Sequence, residues 1–158
     1  MISFSVRYAS HTDKGMVRDH NEDNLIVGSD IGLAAVADGM GGHNSGELAS
    51  ALAVKTLAEK LKIFMSGKET PRQYDPSYTP SANMLLAAAE DANNAIFDAA
   101  SANPEHNGMG TTLSALLLDG DKAVVAHVGD SRVYLIRDGK ANQITDDHSL
   151  VMEQARRG

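Results

Sequence analysis

The chain has no cysteine. Disulfide bonds, zinc–thiolate centres and thiol nucleophiles are therefore excluded. It has no apolar run of membrane-spanning length. The N-terminal stretch MISFSVRYASHTDKG alternates polar and apolar residues where a signal peptide would carry a long apolar block, so it reads as a strand. Basic residues are outnumbered: 14 Lys and Arg stand against 21 Asp and Glu, a formal charge of -7. That balance argues against non-specific binding to nucleic acid or insertion into an anionic membrane, and it suits a divalent cation. No GxxxxGK[ST] or GxGxxG phosphate loop occurs, no HExxH zinc pair and no GxSxG nucleophile elbow. What is present is 158 residues with 42% hydrophobic content, enough for a single domain, 1–158, with a real core. A cytoplasmic protein is the expectation.

Periodicity supplies the elements. Ile2, Phe4, Val6 and Tyr8 alternate with polar residues and predict a half-buried strand. A polar loop over 12–24 follows, then a strand over 25–27, a turn, and a mostly apolar strand over 31–37. Asn44 and Glu47 have capping-box spacing. Beyond them Ala51, Val54, Leu57, Ala58, Leu61 and Phe64 recur at helical spacing and predict a helix over 45–65. Pro71, Pro76 and Pro80 mark 66–80 as a loop. A second helix over 81–102 carries a stripe of alanines, which calls for a closely packed neighbour. Strands are then predicted over 111–118, 123–128, 133–137 and 140–145, joined by three tight connections as an antiparallel meander. SLVMEQARRG reads as the first turns of a helix. Strands, two helices and more strands predict an α+β fold, with the helices as a layer on an antiparallel sheet.

Three polar clusters could carry chemistry, and each has an ordinary alternative. Asp38 follows the apolar run over 33–37 and precedes Gly39, Gly41 and Gly42. It is either a strand-end aspartate in an Asp-Gly turn, or a ligand beside backbone that lets carbonyls reach a hard cation. RDHNED, residues 18–23, is either a solvated charged loop or a place where Glu22 and Asp23 meet metal or its waters while Arg18 grips a phosphate. HVGDSR, residues 127–132, puts Asp130 after a second apolar run; it is a tight turn or a further oxygen ligand. An oxygen-only set points to Mg²⁺ or Mn²⁺ over zinc. His43 reads as a loop or capping residue. The hydroxyls of Thr111 and Thr112 are expected to satisfy nearby backbone.

Taken in order, RDHNEDN, VADGMGGHNSGELAS, GMGTTLSALLL and AHVGDSRVYLIRDGKANQIT with DDHSLV resemble the metal-dependent protein phosphatases of type 2C, the PPM family. The DGMGG form is similar to the family's bacterial serine/threonine branch. The resemblance covers nearly the whole chain, from Arg7 to Val151. The resemblance implies an antiparallel β-sandwich flanked by helices, here lacking its C-terminal strands. It also implies phosphoserine/phosphothreonine hydrolysis by a metal-activated water, with two or three Mn²⁺ or Mg²⁺ ions in the complete site. Asp38 then resembles the carboxylate that bridges two metals, and Gly39 would offer its carbonyl to one of them. Glu22 acts through water, with Asp23 one layer further out. Arg18 binds the substrate phosphate, and Asp130 helps hold a third ion. The implied partners are phosphoproteins made by a serine/threonine kinase, in signal transduction.

Two departures from the family pattern stand out. Met40 occupies the position of a histidine in animal relatives that is proposed as the acid for the leaving group. The family's SDGL-like and DN-like aspartate motifs are absent. The chain is therefore read as the N-terminal portion of the catalytic domain. The alternative is a catalytically incomplete phosphatase fragment that serves as a binding module or is completed by a second copy in a homodimer. A plain divalent-cation-binding domain is the third reading.

Overall fold

The computed structural model describes residues 5–41 and 45–148. Its elements in chain order are β1 (Asp23–Gly28), β2 (Leu33–Met40), α1 (Ser45–Met65), α2 (Pro80–Ala102), a 3₁₀ turn (Pro104–His106), β3 (Gly110–Thr111), β4 (Leu113–Asp119), β5 (Lys122–Val128), β6 (Tyr134–Arg137) and β7 (Lys140–Gln143). One antiparallel sheet runs in the order β1-β2-β4-β5, with β3 extending the end of β2. β6 and β7 form a separate two-stranded sheet.

Strand alternation assigns the two faces. Along β2, Leu33, Ala35, Ala37 and Gly39 are buried, while Val36, Asp38 and Met40 are exposed. On β4 the matching inner residues are Leu113, Ala115 and Leu117. They join Leu57, Leu61 and Phe64 of α1 and Leu85, Ala87 and Ala88 of α2 in one apolar cluster. The alanine stripe of α2 thus finds the close neighbour its composition calls for, α1 and the sheet beneath. On the outer face, β6 begins over the sheet. Val133 and Tyr134 share a cavity with Val36 of β2 and Leu116 of β4.

The helix over 45–65 falls where its apolar spacing predicts. α2 begins one residue early, at Pro80, because Thr79 is its cap. The Thr79 side chain accepts from the Ala82 amide at 3.2 Å, and proline suits the first helical position. Asn83, 2% exposed, ties the preceding loop to this helix. Its Oδ1 accepts from the Asp75 amide at 2.8 Å, and its Nδ2 donates to the Asp75 and Thr79 carbonyls at 2.9 and 3.1 Å. Asn83→Ala would leave the Asp75 amide without its acceptor, while the two carbonyls keep the Tyr78 and Asn83 amides, and should cost about 1–3 kcal/mol. The loop over 66–79 should then be cut faster in limited proteolysis.

Four expectations are revised. The described part of the predicted N-terminal strand, 5–8, is not in a strand; its remainder lies outside the described residues. β2 does not stop before Asp38: it continues through Gly39 and Met40, which pair with Thr111 and Gly110. Asp38 is therefore not in an Asp-Gly turn. The meander breaks after β5, because β6 pairs with β7 and not with β5; the bend at Gly129 and Asp130 turns the chain out of the sheet. The strand predicted over 111–118 is divided at Thr112. Asn44 of the capping box, His43 and the predicted C-terminal helix lie outside the described residues.

Candidate metal and phosphate site

β1 and β2 pair so that Asp23 stands directly opposite Asp38. Like charges in that position destabilise a sheet unless something neutralises them. The Asp38 carboxyl titrates above the ordinary aspartate range. Partial desolvation is the largest cause; the charges of Asp23 and Asp130, a hydrogen bond shared with Asp23, and the charge of Glu22 follow. Arg18, Glu22, Asp23, Asp38 and Gly39 line one cavity of about 220 Å³, together with Lys14. Arg18 Nη1 lies 3.9 Å from Glu22 Oε2, and its side chain is 77% exposed. Five of the residues predicted for the site are thus gathered at one place. Asp130 is not among that cavity's lining residues, but it is near enough for its charge to act on Asp38.

The glycine at position 39 is required by the start of α1. A Cβ there would overlap the Gly46 carbonyl oxygen and stand 2.6 Å from the Glu22 carbonyl oxygen. Gly46 is matched to it: a Cβ on Gly46 would meet the Glu22 carboxylate at 2.6 Å. The Gly39 amide donates to the Glu22 carbonyl at 3.2 Å, and Ser50 Oγ donates to the same oxygen at 2.5 Å. Asn24 Nδ2 donates to Ser50 Oγ at 2.9 Å. The helix start is so locked against the strand ends that carry Glu22, Asp23 and Asp38. The Glu22 carboxylate also lies against the first turn of α1, where a helix favours negative charge.

The threonines clamp Asp38 from the other side. Thr112 Oγ1 accepts from the Asp38 amide at 3.0 Å. The Asp38 carbonyl accepts from the Thr112 amide and from Thr111 Oγ1, both at 2.9 Å. The expectation that these hydroxyls satisfy nearby backbone holds in part: Thr111 Oγ1 donates to the Thr112 carbonyl at 2.9 Å, but both hydroxyls also bond the Asp38 backbone, more than 70 residues away in sequence. Sequence reasoning did not single out Asn24, Gly46, Ser50 or Ser131. The available signal was that each lies inside one of the four motifs.

The arrangement tests well against a divalent cation. The donors are all oxygen, and their surplus charge is held in place by backbone hydrogen bonds and a cradle that side chains on Gly39 and Gly46 would fill. Among the described residues no three His, Asp or Glu side chains close around one point. An ion would need other donors as well, such as a carbonyl and water, which hard cations accept.

Fold and site together define a class, and the chain belongs to the protein phosphatase 2C family, whose model matches residues 8–154. Within it the chain is similar to the serine/threonine protein phosphatase PstP of Mycobacterium tuberculosis, with 40% identity over 150 residues covering 95% of this chain and 26% of PstP. The serine/threonine phosphatase stp of Listeria welshimeri is 39% identical, with 93% of this chain and 56% of that protein covered. Among solved structures, PstP/Ppp of Mycobacterium tuberculosis superimposes with a TM-score of 0.79 at 40% identity, over 96% of this chain and 59% of that one. The PstP catalytic domain in complex with two manganese ions gives 0.77 at 39% identity, over 96% and 60%. The chain thus spans less than two thirds of the length of each relative. No helix among the described residues is long and apolar enough to cross a membrane.

Proposed function

We propose that the protein is a metal-dependent phosphoserine/phosphothreonine protein phosphatase and that this chain supplies one wall of its metal site. The observation that carries the reading is the set of carboxylates around Asp38, with Arg18 at the rim of the same cavity. Asp38 and the Gly39 carbonyl would hold Mn²⁺ or Mg²⁺ directly, Asp130 would contribute to a further ion, and Glu22 and Asp23 would act through water. Bound ions would supply an acidified water at neutral pH and positive charge for the phosphoryl oxygens. The residues of the chain do the rest. The planar fork of Arg18 takes two oxygens of the substrate phosphate and fixes its orientation. The locked strand ends hold the carboxylates still, so little is spent on reorganisation during reaction. Met40 has no proton to give, so the leaving hydroxyl is protonated by water or another group.

Phosphoproteins made by a serine/threonine kinase are the substrates of this reading. Because such kinases use ATP, it places the protein in the cytoplasm and in signalling. The relatives' names and the two manganese ions in the PstP complex support it. The test is hydrolysis of p-nitrophenyl phosphate and a phosphothreonine peptide by the full-length protein. Activity should require Mn²⁺ or Mg²⁺ and vanish with chelator. Arg18→Ala should raise KM for the peptide by about tenfold or more, the size of one lost charge-assisted bidentate contact. No turnover with metal present, or unchanged peptide affinity in Arg18→Ala, would count against the reading.

A further inference from the structure

Ser131 has no part in the scheme above, yet it sits where two halves of the site meet. Its Oγ lies 2.7 Å from Thr112 Oγ1. Thr112 Oγ1 is the atom that accepts the Asp38 amide. Ser131 is the residue after Asp130, so one pair of hydroxyls connects the backbone of one acidic residue to the loop that carries the other. The loop is packed close to permit this. Gly129 has φ +106, and a Cβ on it would stand 2.6 Å from Thr112 Cγ2. The Ser131 carbonyl accepts from Ser114 Oγ at 3.4 Å, and the Gly129 carbonyl accepts from the His148 amide at 2.7 Å. On the next residue, Arg132 grips Asp147 through Nε and Nη2 at 2.9 and 2.6 Å. The loop's backbone is thus held at its two ends, and the Thr112–Ser131 contact ties its side chain to the hydroxyl that accepts the Asp38 amide of β2.

We infer that the Thr112–Ser131 hydroxyl bridge is a positioning device that sets the Asp130 loop at a fixed distance from Asp38. Ser131 is thereby a positioning residue for the metal site. The inference rests on the metal-site reading of Asp38 and Asp130. It adds that one shared contact couples the placement of the two carboxylates, beyond the separate contacts that hold each. Outer partners of this kind typically cost 10–100-fold in metal affinity when removed.

The test measures Mn²⁺ binding to the full-length protein by titration calorimetry, with the metal-free melting temperature recorded alongside. Ser131→Ala should weaken one class of Mn²⁺, the one Asp130 helps hold, about tenfold and leave the other unaffected. Ser131→Thr, which keeps the hydroxyl, should restore wild-type binding. Thr112→Val should weaken both classes of ion, since it also strips the Asp38 amide of its acceptor. Adding Ser131→Ala to Thr112→Val should cost nothing more, because the bridge is already broken. A merely structural serine would lower the melting temperature of the metal-free protein with the isotherm unchanged, and that result overturns the inference. Additive losses in the double variant overturn it too. If the unaltered protein binds no Mn²⁺, the metal-site reading itself fails and the bridge falls with it. If the unaltered protein binds and Ser131→Ala binds identically, the bridge alone fails.

Discussion

Asp38→Asn should lower turnover of the full-length protein by more than about 100-fold, the upper end of what losing a mere outer partner costs. It should at the same time make the metal-free protein harder to melt. The first result follows, on the proposed reading, from the loss of a metal-holding carboxylate; the second follows from its surroundings, because Asp38 is partly desolvated, faces Asp23 across the sheet and feels Asp130 and Glu22 as well. The folded-state pKa of this carboxyl is raised, so its ionised form is worth less in the folded chain than in the unfolded one. The resulting cost is fully present above the folded pKa and disappears as pH falls below the unfolded, ordinary aspartate value. An amide carries no such charge. The melting temperature of the metal-free variant should exceed that of the unaltered protein at pH 7, and the gap should close as pH falls through the carboxylate range. Mn²⁺ should reverse the order at pH 7 by stabilising only the protein that retains the carboxylate. Calorimetric melts at pH 7 and in acid, with and without Mn²⁺, check all of this. An equal Mn²⁺ shift in both proteins would rule out Asp38 as a ligand.

Gly39→Ala should have the largest effect on folding. The added methyl would overlap the Gly46 carbonyl oxygen and stand 2.6 Å from the Glu22 carbonyl oxygen. Both obstacles are backbone, so no side chain can rotate out of the way. Overpacking of this kind costs about 1–3 kcal/mol and occasionally more, and the upper end is expected here. In a chain of this size that corresponds to a loss of roughly 6–12 °C in melting temperature. Mn²⁺ binding should weaken with it, since relieving the clash displaces the helix start from Glu22 and Asp38. Gly120→Asn is the contrast. That turn glycine has φ +61 and open space around it, and asparagine tolerates such a backbone, so the melt should barely move. Equal melts for the two variants would show that the close approach of strand and helix is not a constraint.

How much was legible beforehand follows the range of the interactions. α1 could be read because its signal is local: Val54, Leu57, Ala58, Leu61 and Phe64 recur at helical spacing and are buried. The strand cores of β2, β4 and β5 announced themselves as apolar runs. The extent of β2 did not. Asp38 and Met40 look like a strand's end by composition; pairing with Asp23 of β1 keeps Asp38 in the sheet, and pairing with β3, some 70 residues later, keeps Gly39 and Met40 there. The β5–β6 boundary was misjudged for a related reason, since a short turn between apolar segments suggests a hairpin. Here Gly129 at positive φ instead sends the chain off the sheet edge. The site residues came from the four motifs, but spacing alone left each a possible loop. What tells against a plain loop is the Asp23–Asp38 register and the Thr111 and Thr112 clamp, and neither has a local signature.

The contact between Gly39 and Gly46 has a mechanical consequence. α1 has 21 residues, which makes it a rod about 30 Å long. One tip rests on the strand ends that carry the acidic groups, and Leu61 and Phe64 anchor the other in the apolar interior. Pivoting such a rod about its Phe64 end by only about 2° would press the other tip roughly 1 Å against or away from the strand ends, a displacement that can slow an enzyme about 100-fold. Small repacking changes under Phe64 would then register first as lost speed, in a protein that still melts almost normally.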